Sequence, residues 1–120
     1  MGVAGALAQQ YMTDQREFLP MLARLLKSVM PSSVQTIETG LFKKTIKGLT
    51  LTQGENRLSL VESGSGGLEA SHTRVVRGIA LKTESITVEE WLTMVSESLE
   101  ESAQKNAQAR AAMARLLGLI

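Results

Sequence analysis

The sequence predicts an α+β domain: an N-terminal helix, a four-stranded antiparallel β-meander and a long C-terminal helix, with both helices on one face of the sheet. Three observations carry this. Apolar residues recur at helical spacing between positions 14 and 29, alternate with polar ones between 34 and 83, and return to helical spacing from 86 to 120. The order helix, strands, helix packs most economically as two layers, with the strand leucines beneath the helices.

The first of these elements begins near Asp14. Glu17 stands three residues on, the spacing of a capping box, and Phe18, Leu22, Leu25, Leu26 and Val29 repeat along one face. Pro20 removes one backbone donor early in the helix, which allows a start up to a turn later, and Pro31 ends it. Residues 1–12 are either a loose arm or a short helix whose face carries Ala4, Leu7, Ala8 and Tyr11.

Val34 and Ile37 suggest a short first strand, followed by Gly40 and the basic segment 42–47. Leu49 and Leu51 alternate with Thr50 and Thr52, and Leu58 and Leu60 flank Ser59; Gln53-Gly54-Glu55-Asn56 between them is a hairpin turn. A second turn falls at Gly64-Ser65-Gly66-Gly67. Residues 68–82 then read as one long strand without a turn, in which Gly78 marks a bulge or a close backbone approach.

Residues 86–120 read as a single helix with both ends written out. Thr87 caps it, Glu90 returns the bond, and Ile86 staples against Trp91. Gly118 suits the left-handed position past its end, with Leu119 folding back. At about 1.5 Å per residue it would extend roughly 45 Å, whereas an eight- or nine-residue strand spans roughly 26 to 30 Å. Its distal part, residues 103–120, is therefore expected to project beyond the single domain formed by residues 1–120.

A chain of 120 residues can bury one core, and 43% hydrophobic with 21% charged residues is globular composition. Cysteine is absent, which removes disulfides, thiolate metal sites and cysteine nucleophiles and is compatible with a reducing cytoplasm. The first ten residues lack the basic start and bounded apolar core of a signal peptide, and no stretch is apolar enough to span a membrane. Ala6 stands where a myristoylation signal wants Ser or Thr. The expected location is cytoplasmic.

Charge is unevenly spread. Lys43, Lys44, Lys47, Arg57, Arg74, Arg77 and Lys82 outnumber Glu55, Glu62 and Glu69, whereas Glu84, Glu89, Glu90, Glu97, Glu100 and Glu101 follow without a base among them. Glutamates near a helix start complement its dipole, as do Arg110 and Arg115 near its end. Lys43, Lys44, Lys47, Arg74 and Arg77 would form an anion-binding patch if the second and fourth strands lie close. Phosphate neutralisation could then hold nucleic acid or an anionic surface, although only Phe42 among the four aromatic residues sits with these bases.

The C-terminal helix carries a second candidate surface. Leu92, Val95, Leu99, Ser102, Asn106, Ala109, Met113, Leu116 and Ile120 step by three and four, the seam of a coiled coil. Its distal residues, Ser102, Asn106, Ala109, Met113, Leu116 and Ile120, are a candidate dimer interface; the plainer alternative packs Leu92 to Leu99 on the protein's own sheet and the far end on the first helix.

Catalytic signals are weak. His72 is the sole histidine and no spacing places a nucleophile or carboxylate beside it. With one His and no Cys, a metal site would need carboxylates for its other ligands. The 64–67 tract has neither the ending of a phosphate loop nor the spacing of a nucleophile elbow. No catalytic residue, cofactor or metal is expected.

The run His72-Thr-Arg-Val-Val-Arg-Gly-Ile-Ala-Leu81, followed by Val88-Glu-Glu-Trp-Leu92 and an alanine-rich helix ending Ala114-Arg-Leu-Leu117, resembles a group of small uncharacterised bacterial proteins, chiefly of the high-GC Gram-positive type. The resemblance covers the C-terminal half and extends at most to the first helix. It implies no activity or site residue. The residues themselves suggest a non-enzymatic interaction or adaptor module that self-associates as a dimer through the distal C-terminal helix. The alternative is a binder of nucleic acid or an anionic surface through a basic sheet face.

Overall fold

The computed structural model describes residues 3–64 and 67–116. Its elements are α1 (Val3–Thr13), α2 (Gln15–Val29), β1 (Val34–Thr39), β2 (Thr45–Gln53), β3 (Asn56–Glu62), β4 (Leu68–Val76), β5 (Ile79–Ile86), α3 (Val88–Lys105) and α4 (Ala107–Leu116). Consecutive strands pair antiparallel in the order β1-β2-β3-β4-β5. The class is α+β, as the periodicities predict.

Among the described residues the sheet has five strands, not four. The run 68–82 is divided by a two-residue turn at Arg77 and Gly78, whose φ angles are 53° and 81°. Gly78 takes that conformation without a Cβ penalty; Arg77 shares it as the other central residue of the turn. Because Val75 and Val76 precede the turn and Ile79 and Leu81 follow it, apolar character continues across it and conceals the break. The irregularity expected at Gly78 lies a few residues off, in the pairing at Arg74 and Val75, where Leu81 is the extra residue of β5.

The single C-terminal helix is also corrected. α3 ends at Lys105, Asn106 adopts an extended conformation (φ −150°, ψ 148°), and α4 starts afresh at Ala107. The Asn106 amide closes α3 by donating to the Ser102 carbonyl, while its side chain caps α4 by accepting from the Ala109 amide at 2.7 Å. Arg110 Nη1 donates to the Ala103 carbonyl across the break at 2.9 Å. α4 packs against α1, α2 and α3, with Ala103 and Ala109 buried. Residues 103–116 therefore fold back and do not project; the molecule measures 36 × 35 × 28 Å. Gly118 and Leu119, the expected helix end, lie outside the described residues.

The expected helix starts are present. The Glu17 amide donates to Asp14 Oδ1, and the Glu90 amide donates to Thr87 Oγ1, whose hydroxyl donates in turn to Glu90 Oε1. α2 accommodates Pro20 within it. Residues 3–13 form a docked helix, with Val3, Ala6 and Leu7 buried and Tyr11 edge-on to Phe18, the ring centroids 5.4 Å apart.

α2 and α3 lie on the sheet, and α1 packs on the other helices. Between the layers Phe18, Leu22 and Leu26 meet Leu49, Leu51 and Leu60, together with Trp91, Leu92, Val95 and Leu99 from α3. Trp91 is fully buried, and its indole Nε1 has no hydrogen-bond partner among the described residues. No helix of the described residues is long and apolar enough to cross a membrane.

Candidate functional site

Register carries residues 79–85 of β5 and the turn end of β4 out beyond the helix layer. Residues paired across antiparallel strands share a face. The line Val34, Leu51, Leu58, His72, Glu84 therefore begins in the core under α2 and ends in polar side chains on β4 and β5. The next line, Gln53, Asn56, Arg74, Lys82, is polar throughout. α3 packs against β4, and every residue of β5 except Ile86 is exposed. The result is an open, polar corner of the sheet.

Within that corner His72 Nε2 lies 2.7 Å from Asn56 Oδ1. Lys82 Nζ and a Glu84 carboxylate oxygen are 2.9 Å apart, and Arg74 stands 3.9 Å from Glu55. The hydrogen bond and then the charge of Glu84 raise the Lys82 ammonium above its ordinary range; the same contacts hold the Glu84 carboxyl below its own. A hollow of about 140 Å³ is lined by His72, Arg74, Lys82 and Glu84. A larger cleft of about 440 Å³ lies beside it, between the β2–β3 turn and α3, with Gln53, Asn56, Met94, Glu97 and Glu101 in its walls. The imidazole is bonded to the Asn56 side chain, and Glu84, opposite it across the β4–β5 pairing, lines the same hollow, so a carboxylate stands beside His72 that the sequence spacing did not reveal. Among the described residues no group of three or more His, Asp or Glu could hold a metal ion.

The backbone of β5 is open along its outer side. The Val75 amide donates to the Glu55 carbonyl at 2.8 Å, so Val75, and by alternation Thr73 and Ser71, direct their peptide groups toward β3. Their partners Thr83 and Ser85 consequently direct theirs away from β4. The Thr73 and Thr83 hydroxyls, 2.8 Å apart, fit the narrow type of pair that this alternation requires. Ile79 and Leu81 add apolar surface to the same strand, 64% and 60% exposed.

The five basic residues singled out in the sequence do not come together. Arg74 lies level with Asn56 and Gln53, and Arg77 is in the turn beyond. Lys43 and Lys44 precede the other end of β2, about 30 Å away at about 3.3 Å per residue. Lys47 is paired with Glu62 at 3.3 Å. Two hairpins of one meander separate these residues, and sequence proximity carries no information about that separation.

Three residues of the distal C-terminal seam have described side chains. Ser102 and Ala109 are buried within the protein, and Asn106 is exposed at the helix break. The side chains of Met113 and Leu116, and the whole of Ile120, lie outside the described residues. Sequence reasoning missed the β5 edge because the strand itself was hidden in the run 68–82; the Arg-Gly pair at 77–78 was the available signal. It noted Phe42 only as an aromatic among the bases and passed over Leu41; the two stand on the β1–β2 loop 101% and 96% exposed. No family model, curated protein or solved structure matches the chain.

Proposed function

We propose that this protein is a non-enzymatic interaction module that self-associates through the open edge of β5, in place of the C-terminal helix. One observation carries the reading: β5 is complementary in charge to a reversed copy of itself. Antiparallel pairing about a two-fold axis at Thr83 sets Lys82 of each copy opposite Glu84 of the other. The same axis lets the outward peptide groups of the two Thr83 residues bond each other. The Lys82 and Glu84 pairs then fall at the narrow positions, where side chains stand closest.

The other edge of the sheet supports no equivalent. β1 offers Glu38 and no base, so a reversed copy brings no opposite charge, and α2 packs beside it. Edge charges often protect a strand from unwanted pairing. On β5 the two signs alternate, and in this register they attract. With the five cations divided between the two ends of the sheet, a nucleic-acid interface on the sheet face lacks a continuous stripe of charge.

A strand pair of this length buries less than the roughly 1,200 Å² of a standard stable interface, so a micromolar, reversible dimer is expected. Light scattering over a concentration series tests it. The mass should rise from one chain toward two as concentration increases through the micromolar range. A constant single-chain mass up to the highest soluble concentration contradicts the proposal.

A further inference from the structure

We propose that the β1–β2 hairpin tip docks on an anionic lipid bilayer, Leu41 and Phe42 entering the interfacial region while Lys43 and Lys44 bind the headgroups. An isolated exposed apolar side chain is common on proteins. Here two large ones are adjacent and almost wholly exposed, and the segment from Gly40 to Thr45 contains two lysines and no acid.

The turn is built to present them. Gly40 has φ 115°, and a Cβ there would run into the Lys43 carbonyl, so the loop folds back tightly on itself at this position. Leu41 and Phe42 form the apex between the two. Lys43 and Lys44 have no ion pair among the described residues, whereas the nearby Lys47 is held by Glu62. An apolar pocket on another protein would accept Leu41 and Phe42 but would need added acids for the lysines. An anionic bilayer supplies apolar depth and negative charge together.

Two side chains and two charges give a weak, salt-sensitive attachment. The test is co-sedimentation of the full chain with vesicles of phosphatidylcholine mixed with phosphatidylserine, and with phosphatidylcholine alone. Binding should require phosphatidylserine and fall with added salt. Lys43→Gln and Lys44→Gln should each weaken it about fivefold, and Leu41→Ser and Phe42→Ser at least about tenfold each, with circular dichroism unchanged. Gly40→Val should weaken it with Leu41 and Phe42 still in place. Failure to bind the mixed vesicles at low salt overturns the proposal. So does a Phe42→Ser protein that binds them undiminished, or one whose mass in solution changes, since that assigns the tip to a protein contact. The tip is remote from β5 in the strand order, so its variants leave the self-association proposed above intact.

Discussion

Asn106 and Ala109 are joined by a 2.7 Å hydrogen bond from the Ala109 amide to the Asn106 side chain, which caps α4 where one helical sequence becomes two helices. Residues 86–116 have no glycine or proline and a continuous helical period. The break arises because α4 gains more by lying against α1 and α2, with Ala109 buried, than by continuing straight into solvent. Asn106 satisfies a peptide donor that the break would otherwise orphan.

Asn106→Ala should therefore cost about 0.5–2 kcal/mol of stability, the usual loss on removing a helix cap. Urea unfolding measures this. An unchanged or higher midpoint would mean that a continuous helix is as good as the folded-back one.

Turn chemistry gives a second prediction, in the opposite direction. Arg77 occupies a left-handed conformation that asparagine adopts more readily, and Asn-Gly is the preferred pair for this hairpin. Arg77→Asn should stabilise by a few tenths to about 1 kcal/mol, whereas Gly78→Val should destabilise by about 1–2 kcal/mol. Thermal unfolding of the two variants should move the midpoint in opposite directions; a shared direction would contradict the turn.

Much of this architecture was legible in the residues. The Asp14–Glu17 and Thr87–Glu90 caps, the Leu49–Leu51 and Leu58–Leu60 alternation and the turn at Gly54 are local signals, and local physics decides them. What escaped depends on contacts distant in sequence. Whether residues 103–116 project or fold back is settled by burial against α1, which periodicity does not report. The Arg77-Gly78 turn was masked by the apolar residues on both sides of it. The candidate surfaces were harder still, because whether Lys43 and Arg74 lie close is decided only when the strands acquire a register.

Trp91 is the largest fully buried side chain. Trp91→Ala should cost about 3–5 kcal/mol, which is much of a small domain's total stability. The unfolding midpoint should drop strongly. A folded variant of ordinary stability but reduced mass would place the ring at an interface.

The Lys82–Glu84 pair makes a prediction for pH. Glu84 is held below its ordinary value, so the pair is intact at neutral pH and its contribution is lost as pH falls through the lowered Glu84 value. Lys82 is raised, so at the alkaline end the contribution is lost as pH rises through the raised Lys82 value. Carboxyl carbon NMR should find Glu84 titrating below the ordinary value for a glutamate, and Lys82→Gln should return it toward that value. A Glu84 carboxyl that titrates at the ordinary value would contradict the pairing.

Self-association through β5 is tested most directly by charge reversal and mixing. In the proposed register Lys82→Glu places carboxylates opposite each other at both symmetry-related positions, and Glu84→Lys does the same with ammonium groups, so each variant alone should remain a monomer by light scattering. Mixed in equal amounts they should form a heterodimer, since every opposed pair then has opposite signs, and the doubly substituted chain carrying both reversals should recover the homodimer. Single variants that associate as the parent does, or a mixture that stays monomeric when the parent is dimeric, would contradict the account.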